Sequence, residues 1–203
     1  TEDDKFKHVF NLINNEQLQR VILFVNRKDT ARRLSEKLDR YGQNASVLSG
    51  DVSQDKRFKV LNNFKNGRVN ILVATDVAAR GLHIENISHV INYDLPQEPE
   101  AYIHRIGRTG RAGATGTSVS FADEMSSFFI PQIEEVLGYK VTCEYPDDEL
   151  EKELPTPKPR PPKNKTGPKP SGRKKPYRGR GPRRRPMNSR NRSSSDRKKS
   201  QTD

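Results

Sequence analysis

The chain has 203 residues, of which 31% are hydrophobic, and a formal net charge of +12. That hydrophobic fraction is low for a uniformly globular chain, so we expect one folded domain and an extension. The single cysteine, Cys143, excludes an internal disulfide and a cysteine-based zinc cluster. No apolar run approaches the ~18 residues that span a bilayer, and no signal-peptide pattern opens the chain. We therefore expect a cytoplasmic protein without a membrane partner, and the start at Thr1 suggests a piece of a longer protein.

The charge divides the chain in two. Residues 151–203 hold 19 of the 38 Lys and Arg but only 4 of the 26 Asp and Glu, a net charge of +15, so residues 1–150 carry −3. The basic stretch is rich in Pro, Gly and Ser and has one aromatic residue, Tyr177. Such a stretch cannot bury enough apolar surface to offset its chain entropy. We predict a folded domain over residues 1–145 and a disordered basic tail over residues 146–203.

Helical and strand patterns alternate through the predicted domain. Apolar residues at helical spacing predict a first helix around residues 6–13, and Asp29 or Thr30 is expected to cap a second helix that ends near Tyr41. Further helices are predicted at 53–66, at 99–106, and from a cap at Asp123 to about Leu137. The continuous apolar run at 21–25 predicts a strand buried on both faces, and further strands are predicted at 45–48, 70–74, 88–93 and 116–122. This alternation predicts an α/β fold, a parallel sheet with helices on both faces and ligands beyond the carboxyl ends of its strands.

The octapeptide His104–Arg111 carries the strongest functional signal. It reads His-Arg-Ile-Gly-Arg-Thr-Gly-Arg, with three arginines and two glycines. A guanidinium group matches phosphate oxygens bidentately, and glycine lets the backbone approach a bulky anion. The pattern therefore indicates a phosphate-binding segment, although a solvated basic loop is the alternative.

Three weaker patterns follow predicted strands. Ala74–Gly81 offers a hydroxyl, backbone amides and a guanidinium after a buried strand, or is an ordinary turn capped by Asp76. Gln54 and Arg57 lie on one helix face and could grip a nucleic-acid backbone, or face solvent. The helix start near Lys28–Thr30 would point backbone amides at an anion. The alternative is an ordinary helix start, because most helix starts bind no ligand.

Taken together and in this order, these motifs resemble the C-terminal RecA-like domain of DEAD-box RNA helicases of superfamily 2. Residues 21–28 look like motif IV of that family, Gln54–Arg57 like its Gln-x-x-Arg motif, Ala74–Ile84 like motif V and His104–Arg111 like motif VI. The resemblance covers roughly residues 1–145. Within the family the chain looks most similar to the bacterial RhlB-like group, through Ala-Arg-Gly-Leu-His and a basic tail.

The resemblance implies roles for individual residues. Arg108 and Arg111 match the arginine fingers that reach the γ-phosphate of ATP bound on a partner domain. Asp76, His83, His104 and Arg105 match positions that contact the nucleotide or couple the two domains. Most of the family has Asp where this chain has His83, and a neutral imidazole still accepts one hydrogen bond. The positions matching contacts to the RNA sugar-phosphate backbone are Lys28, Asp29, Thr30, Gly50, Arg57, Thr75 and Arg80.

The phosphate loop Gly-x-x-x-x-Gly-Lys-[Ser/Thr] and the Asp-Glu-Ala-Asp motif do not occur in the chain. The resemblance places both on an N-terminal RecA-like domain, which would bind most of the ATP and Mg²⁺, and it implies no metal site here. We expect the complete protein to be an ATP-dependent RNA helicase acting on single-stranded and duplex RNA, with this chain alone inactive. An RhlB-like identity would further imply docking onto an RNA-degrading complex.

Two other functions stay open on the sequence. A superfamily 2 DNA translocase would share the fold, because phosphate contacts do not distinguish the sugar. A non-enzymatic RNA-binding or annealing module driven by the basic tail is the other, although binding alone would not require the arginine pair.

Overall fold

We analysed a computed structural model of the chain, which describes residues 1–81, 84, 86–110 and 115–159. Its centre is a sheet of five parallel strands in the order β2-β3-β1-β4-β5. The strands are β1 Val21–Phe24, β2 Ala45–Leu48, β3 Ile71–Ala74, β4 His89–Asn92 and β5 Thr117–Ser120. Their register places the carboxyl ends of all five at one edge of the sheet.

Helices cover both faces of this sheet, as predicted. They are α1 Glu2–Asn15, α2 Lys28–Arg40, α3 Gln54–Lys65, α4 Asp76–Ala79, α5 Pro99–Ile106 and α6 Ile130–Leu137, with a 3₁₀ turn at Ser126–Phe129. Alternate residues of β1 supply the two cores: Leu23 packs with α1 and α2, whereas Ile22 and Phe24 pack with α3 and α4. The predicted α/β fold is therefore confirmed. None of the helices among the described residues is long and apolar enough to cross a membrane.

Helix starts differ from the prediction in three places. Helix α2 begins at Lys28, and Arg27, not Asp29 or Thr30, is its N-cap residue, without a side-chain cap. The short α4 directly after β3 was not predicted, because four residues are too few for a periodic pattern. Before α6 the chain first makes the 3₁₀ turn, and the Asp123 carboxylate accepts a 2.8 Å hydrogen bond from the Ser126 amide.

A segment after α6, which we call the strap (residues 147–158), lies along α1. Asn11, only 6% exposed, donates hydrogen bonds of 2.9 and 2.8 Å to the carbonyl oxygens of Leu150 and Lys152. Glu151 accepts from Lys7 at 2.6 Å and lies 2.8 Å from His8 Nε2. Leu154 packs against the core between α1 and the sheet. The packed part of the chain thus extends beyond the predicted boundary at residue 145, while residues 160–203 of the predicted tail lie outside the described residues.

Candidate nucleotide and nucleic-acid site

The carboxyl edge of the sheet contains a cavity of about 710 Å³. Polar and charged side chains from three segments line it, among them Asn26, Asp76, Arg80, His104, Arg105 and Arg108. Since β1 is followed by Asn26, β3 by α4 and β4 by α5, the parallel topology brings these distant segments to one place. The edge predicted to bind ligand is therefore where the motif V and motif VI residues meet.

Arg105 is the centre of the site and is only 1% exposed. Its Nε and Nη2 each donate a 2.7 Å hydrogen bond to a different oxygen of the Asp76 carboxylate. Nη2 also donates to Asn26 Oδ1 at 2.7 Å, and Nη1 donates to the carbonyl oxygen of Asp94 at 2.6 Å and to Asn92 Oδ1 at 3.3 Å. One guanidinium thus ties α5 to α4, β4 and the segment after β1.

The neighbours of Arg105 extend this network. Its guanidinium carbon lies 5.2 Å from the centre of the Phe24 ring, a cation–π contact. Asn92 is itself fully buried and donates a 3.0 Å hydrogen bond to Ser120 Oγ, at the end of β5. A buried charge is tolerated when it is paired and hydrogen-bonded, and Arg105 meets both conditions. These contacts all lie within the domain, so the geometry assigns Arg105 to holding α5 in place.

The other end of motif VI is held by Thr109. Its Oγ1 donates a 2.6 Å hydrogen bond to the carbonyl oxygen of Ile87, just before β4. A Cβ atom added to Gly116 would lie 2.1 Å from Thr109 Oγ1 and 2.4 Å from the backbone nitrogen of Gly110. Motif VI is therefore packed against the start of β5. Sequence analysis missed both Thr109 and Gly116, because neither residue type signals a contact across the fold.

Beside these two anchors, His104 and Arg108 line the cavity. His104 is exposed, and Arg108 is partly exposed beside it. Arg111 and His83, which the sequence analysis assigns to the γ-phosphate and the ribose, lie outside the described residues. The structure thus places Arg108, His104 and Asp76 around one cavity.

The predicted RNA-binding residues form a second group at the same edge. Lys28, Asp29 and Thr30 make the first turn of α2, and Gly50 lies in the loop after β2. Arg57 donates a 2.7 Å hydrogen bond to the carbonyl oxygen of Ala78 in α4. Thr75 is buried as the N-cap residue of α4, and Arg80 is exposed at the C-cap of that helix. Arg57 therefore links α3 to α4 and is oriented by that contact.

Burial and hydrogen bonding shift the pKa values of three residues that line a second cavity, Tyr93, Asp94 and Asp123. Asp94 accepts a 3.0 Å hydrogen bond from the Asn26 amide, but desolvation outweighs that bond and raises the pKa of Asp94. Desolvation and the neighbouring Glu2 carboxylate also raise the pKa of Tyr93. Conversely, the hydrogen bond from Lys5 holds the pKa of Asp123 well below its usual range. Within the described ranges, no three His, Cys, Asp or Glu side chains are grouped so as to hold a metal ion.

The fold and this site together define a nucleic-acid helicase domain of the RecA-like class. Residues 4–113 match the family described as helicase conserved C-terminal domain, and the chain belongs to that family.

Similar proteins place the chain more closely within the helicases. The chain is 56% identical over 147 residues to the ATP-dependent RNA helicase RhlB of Pseudomonas syringae pv. tomato, covering 72% of this chain and 37% of that protein. It is also 56% identical to RhlB of Pseudomonas putida over 152 residues, covering 75% of this chain and 38% of that protein. The predicted resemblance to the RhlB-like DEAD-box helicases is confirmed. The chain spans little more than a third of the length of these relatives.

Solved structures with the same fold include two DEAD-box proteins. The E. coli DEAD-box protein SrmB, bound to regulator of ribonuclease activity A, matches with a TM-score of 0.70 and 34% identity, over 77% of this chain and 92% of that chain. S. cerevisiae Dbp5 bound to RNA and ADP BeF3 matches with a TM-score of 0.64 and 38% identity, over 70% of this chain and 39% of that chain.

Proposed function

We propose that this chain is the C-terminal half of an ATP-dependent RNA helicase that locally unwinds RNA duplexes. The observation that carries the proposal is the way residues 105–109 of motif VI are held. Arg105 and Thr109 hold the two ends of the segment around Arg108, and Arg108 lines the same cavity as Asp76 and His104. A guanidinium held in this way is suited to a charged group that arrives from outside the domain.

In the complete enzyme that charged group is the γ-phosphate of ATP. Arg108 and Arg111 act as arginine fingers, stabilising the negative charge that develops on the phosphate oxygens during transfer to water. Arg105, bonded to Asp76, then keeps the fingers aligned, and the exposed His104 couples the two domains. His83, where most of the family has Asp, takes the position beside the ribose.

RNA binds along the segments that begin at the carboxyl edge. Lys28, Asp29 and Thr30 of α2, Gly50 of the β2 loop, Arg57 of α3, and Thr75 and Arg80 beside α4 supply the contacts to the sugar-phosphate backbone. Such contacts carry no sequence information, so single-stranded and duplex RNA of many sequences are substrates.

The groups that bind the ATP phosphates and Mg²⁺ belong to a second RecA-like domain of the same protein. Sequence motifs for the phosphate loop and for Mg²⁺ do not occur in this chain, and its described residues offer no carboxylate cluster for a metal ion. The N-terminal domain therefore binds ATP and Mg²⁺, and this chain alone does not turn ATP over. The enzyme acts in the cytoplasm, and an RNA-degrading complex is its partner.

The test uses the complete protein, with its N-terminal domain, and compares RNA with DNA as the stimulating strand. Wild type should hydrolyse ATP faster with RNA than with DNA, whereas R108A and R111A should each lose about 10³-fold or more in turnover while still binding RNA. Arg68→Ala removes an exposed arginine from the turn before β3 and serves as the matched control. Near-normal turnover in R108A and R111A would remove the finger assignment, and stimulation by DNA alone would favour a DNA translocase.

A further inference from the structure

An acidic residue lies among the proposed RNA-binding segments without an evident reason. Asp51 directly follows Gly50 in the loop after β2, and its side chain is 37% exposed. A carboxylate beside a phosphate chain is repelled by it, and this repulsion weakens binding unless the charge is compensated. The structure provides the compensation on two sides.

Arg32 and Ser49 hold the Asp51 carboxylate. Arg32, on the second turn of α2, forms an ion pair with Asp51 through Nη2 and lies 3.6 Å from Asp29 Oδ1 through Nη1. Ser49 Oγ donates a 2.5 Å hydrogen bond to the other carboxylate oxygen of Asp51. Ser49 is only 1% exposed, so the carboxylate is attached to a rigid part of the core.

These contacts connect two of the proposed RNA-binding segments. The loop turns through a 3.1 Å hydrogen bond from the Val52 amide to the Ser49 carbonyl oxygen, which leaves Gly50 exposed in the turn. Arg32 reaches this turn from α2, whose first residues are Lys28, Asp29 and Thr30. The ion pair therefore fixes the separation between Gly50 and the start of α2.

The opposite side of the loop is also fixed. A Cβ atom on Gly50 would lie 3.8 Å from Val77 Cγ1, which is ordinary packing distance to α4. Arg57, one turn into α3, donates its hydrogen bond to Ala78 of the same helix. The Gly50 loop thus lies between α2, from which Arg32 contacts Asp51, and α4, which Arg57 holds from α3.

We propose that Arg32 and Asp51 form a positioning pair that sets the spacing of the RNA backbone contacts made by Gly50 and by the first turn of α2. The inference rests on the proposed function, since it assigns the means by which that same RNA surface is shaped. Neither residue needs to touch RNA, because the ion pair between them positions the Gly50 loop against the start of α2.

Electrostatics and positioning predict opposite results for Asp51. Replacing Asp51 by Asn removes a negative charge from the RNA surface, and charge alone would then strengthen RNA binding. If Asp51 positions the loop, the same change weakens binding because the contacts lose their spacing. Asp55, an exposed carboxylate on the first turn of α3, gives the matched control, since D55N removes the same charge without touching the pair.

The experiment measures ATPase rate against RNA concentration in the complete protein for wild type, R32A, D51N, the double variant R32A/D51N, and D55N. We expect R32A and D51N to raise the RNA concentration at half-maximal rate about three- to tenfold, with the maximal rate unchanged, and the double variant to match the worse single variant. D55N should equal wild type or bind RNA more tightly. Urea unfolding of each variant checks that the fold is intact.

Two results would overturn the inference. A D51N curve that coincides with D55N would mean that only charge matters, and effects of R32A and D51N that multiply in the double variant would mean that they act separately. A wild-type protein without RNA-stimulated turnover would instead contradict the proposed function itself, and the inference would fall with it.

Discussion

The Nε and Nη2 atoms of Arg105 reach the two carboxylate oxygens of Asp76 at 2.7 Å each, across 29 residues of sequence. This bidentate pair joins the motif VI helix α5 to the motif V helix α4. We therefore predict that R105A lowers the free energy of unfolding by about 2–4 kcal/mol, because it leaves the buried Asn92 Oδ1 and the Asp94 carbonyl oxygen without their donor. R105K should recover little, because an ammonium group cannot form the same planar fork. Urea denaturation measures both, with the exposed Arg80→Ala as control, and a loss below about 1 kcal/mol for R105A would contradict the assignment.

Gly116 provides a test of packing against motif VI. The Cβ atom of G116A would overlap Thr109 Oγ1 and the Gly110 backbone, and the backbone cannot move aside without moving motif VI. We expect G116A to cost about 1–3 kcal/mol of stability. In Gly50→Ala the new Cβ atom would lie at an ordinary contact distance of 3.8 Å from Val77 Cγ1. This variant should therefore change the free energy of unfolding by less than about 0.5 kcal/mol. Equal stability of the two variants would show that the Gly116 contact does not constrain the fold.

The strap predicts how far the domain can be shortened. A chain ending at residue 159 keeps the contacts to α1, whereas a chain ending at 145 exposes Asn11 and the apolar surface under Leu154. The shorter chain should lose about 2–4 kcal/mol, since a buried amide loses its acceptors and an apolar side chain loses its cover. Thermal or urea unfolding of the two chains measures the difference. Asn11→Ala should reproduce part of the loss, and Asn14→Ala, at an exposed position of the same helix, should not.

The ion pair between Lys5 and Asp123 predicts a pH dependence. Because Lys5 lowers the pKa of Asp123 in the folded state, this pair stabilises the protein above the ordinary aspartate pKa near 4, and the contribution is lost as the pH falls through the folded value. D123N should lower the free energy of unfolding at pH 7 by about 1 kcal/mol or less, since the carboxylate is half-exposed. The gap from wild type should shrink as the pH falls below about 4. The neighbouring Glu124→Gln is the control, and a gap that grows towards acid would contradict the prediction.

The basic tail predicts the salt dependence of RNA binding. Removing residues 160–203 deletes 17 Lys and Arg against 2 Asp, and each lost phosphate contact lowers the slope of log affinity against log salt by about 0.7 for a single strand. We expect the chain ending at 159 to bind single-stranded RNA more weakly and with a flatter salt slope. Titrations at several salt concentrations measure it. An unchanged slope would mean that the tail only adds solubility.

The strands, and the arrangement of a sheet between two layers of helices, could be predicted from the sequence. Residues 21–25, for example, are apolar without interruption, which is typical of a strand buried on both faces. The internal role of Arg105 could not. Its partners Asn26, Asp76 and Asn92 become neighbours only through the strand register, which no local pattern reveals. The strap was missed for a different reason: its charged and proline-rich composition resembles the tail, and the side chain that captures it, Asn11, lies in the first helix.

The hydrogen bonds made by every N–H group of Arg105 also bear on how fast the two domains of the proposed enzyme would close. Every N–H donor of Arg105 is already bonded in the folded domain, so the placement of helix α5 is decided once, when the chain folds. Under the proposed function, docking onto a nucleotide held by another domain then loses little conformational entropy in each catalytic cycle. In R105A the helix would have to be ordered again in every turnover, which would slow domain closure before it affected the chemistry.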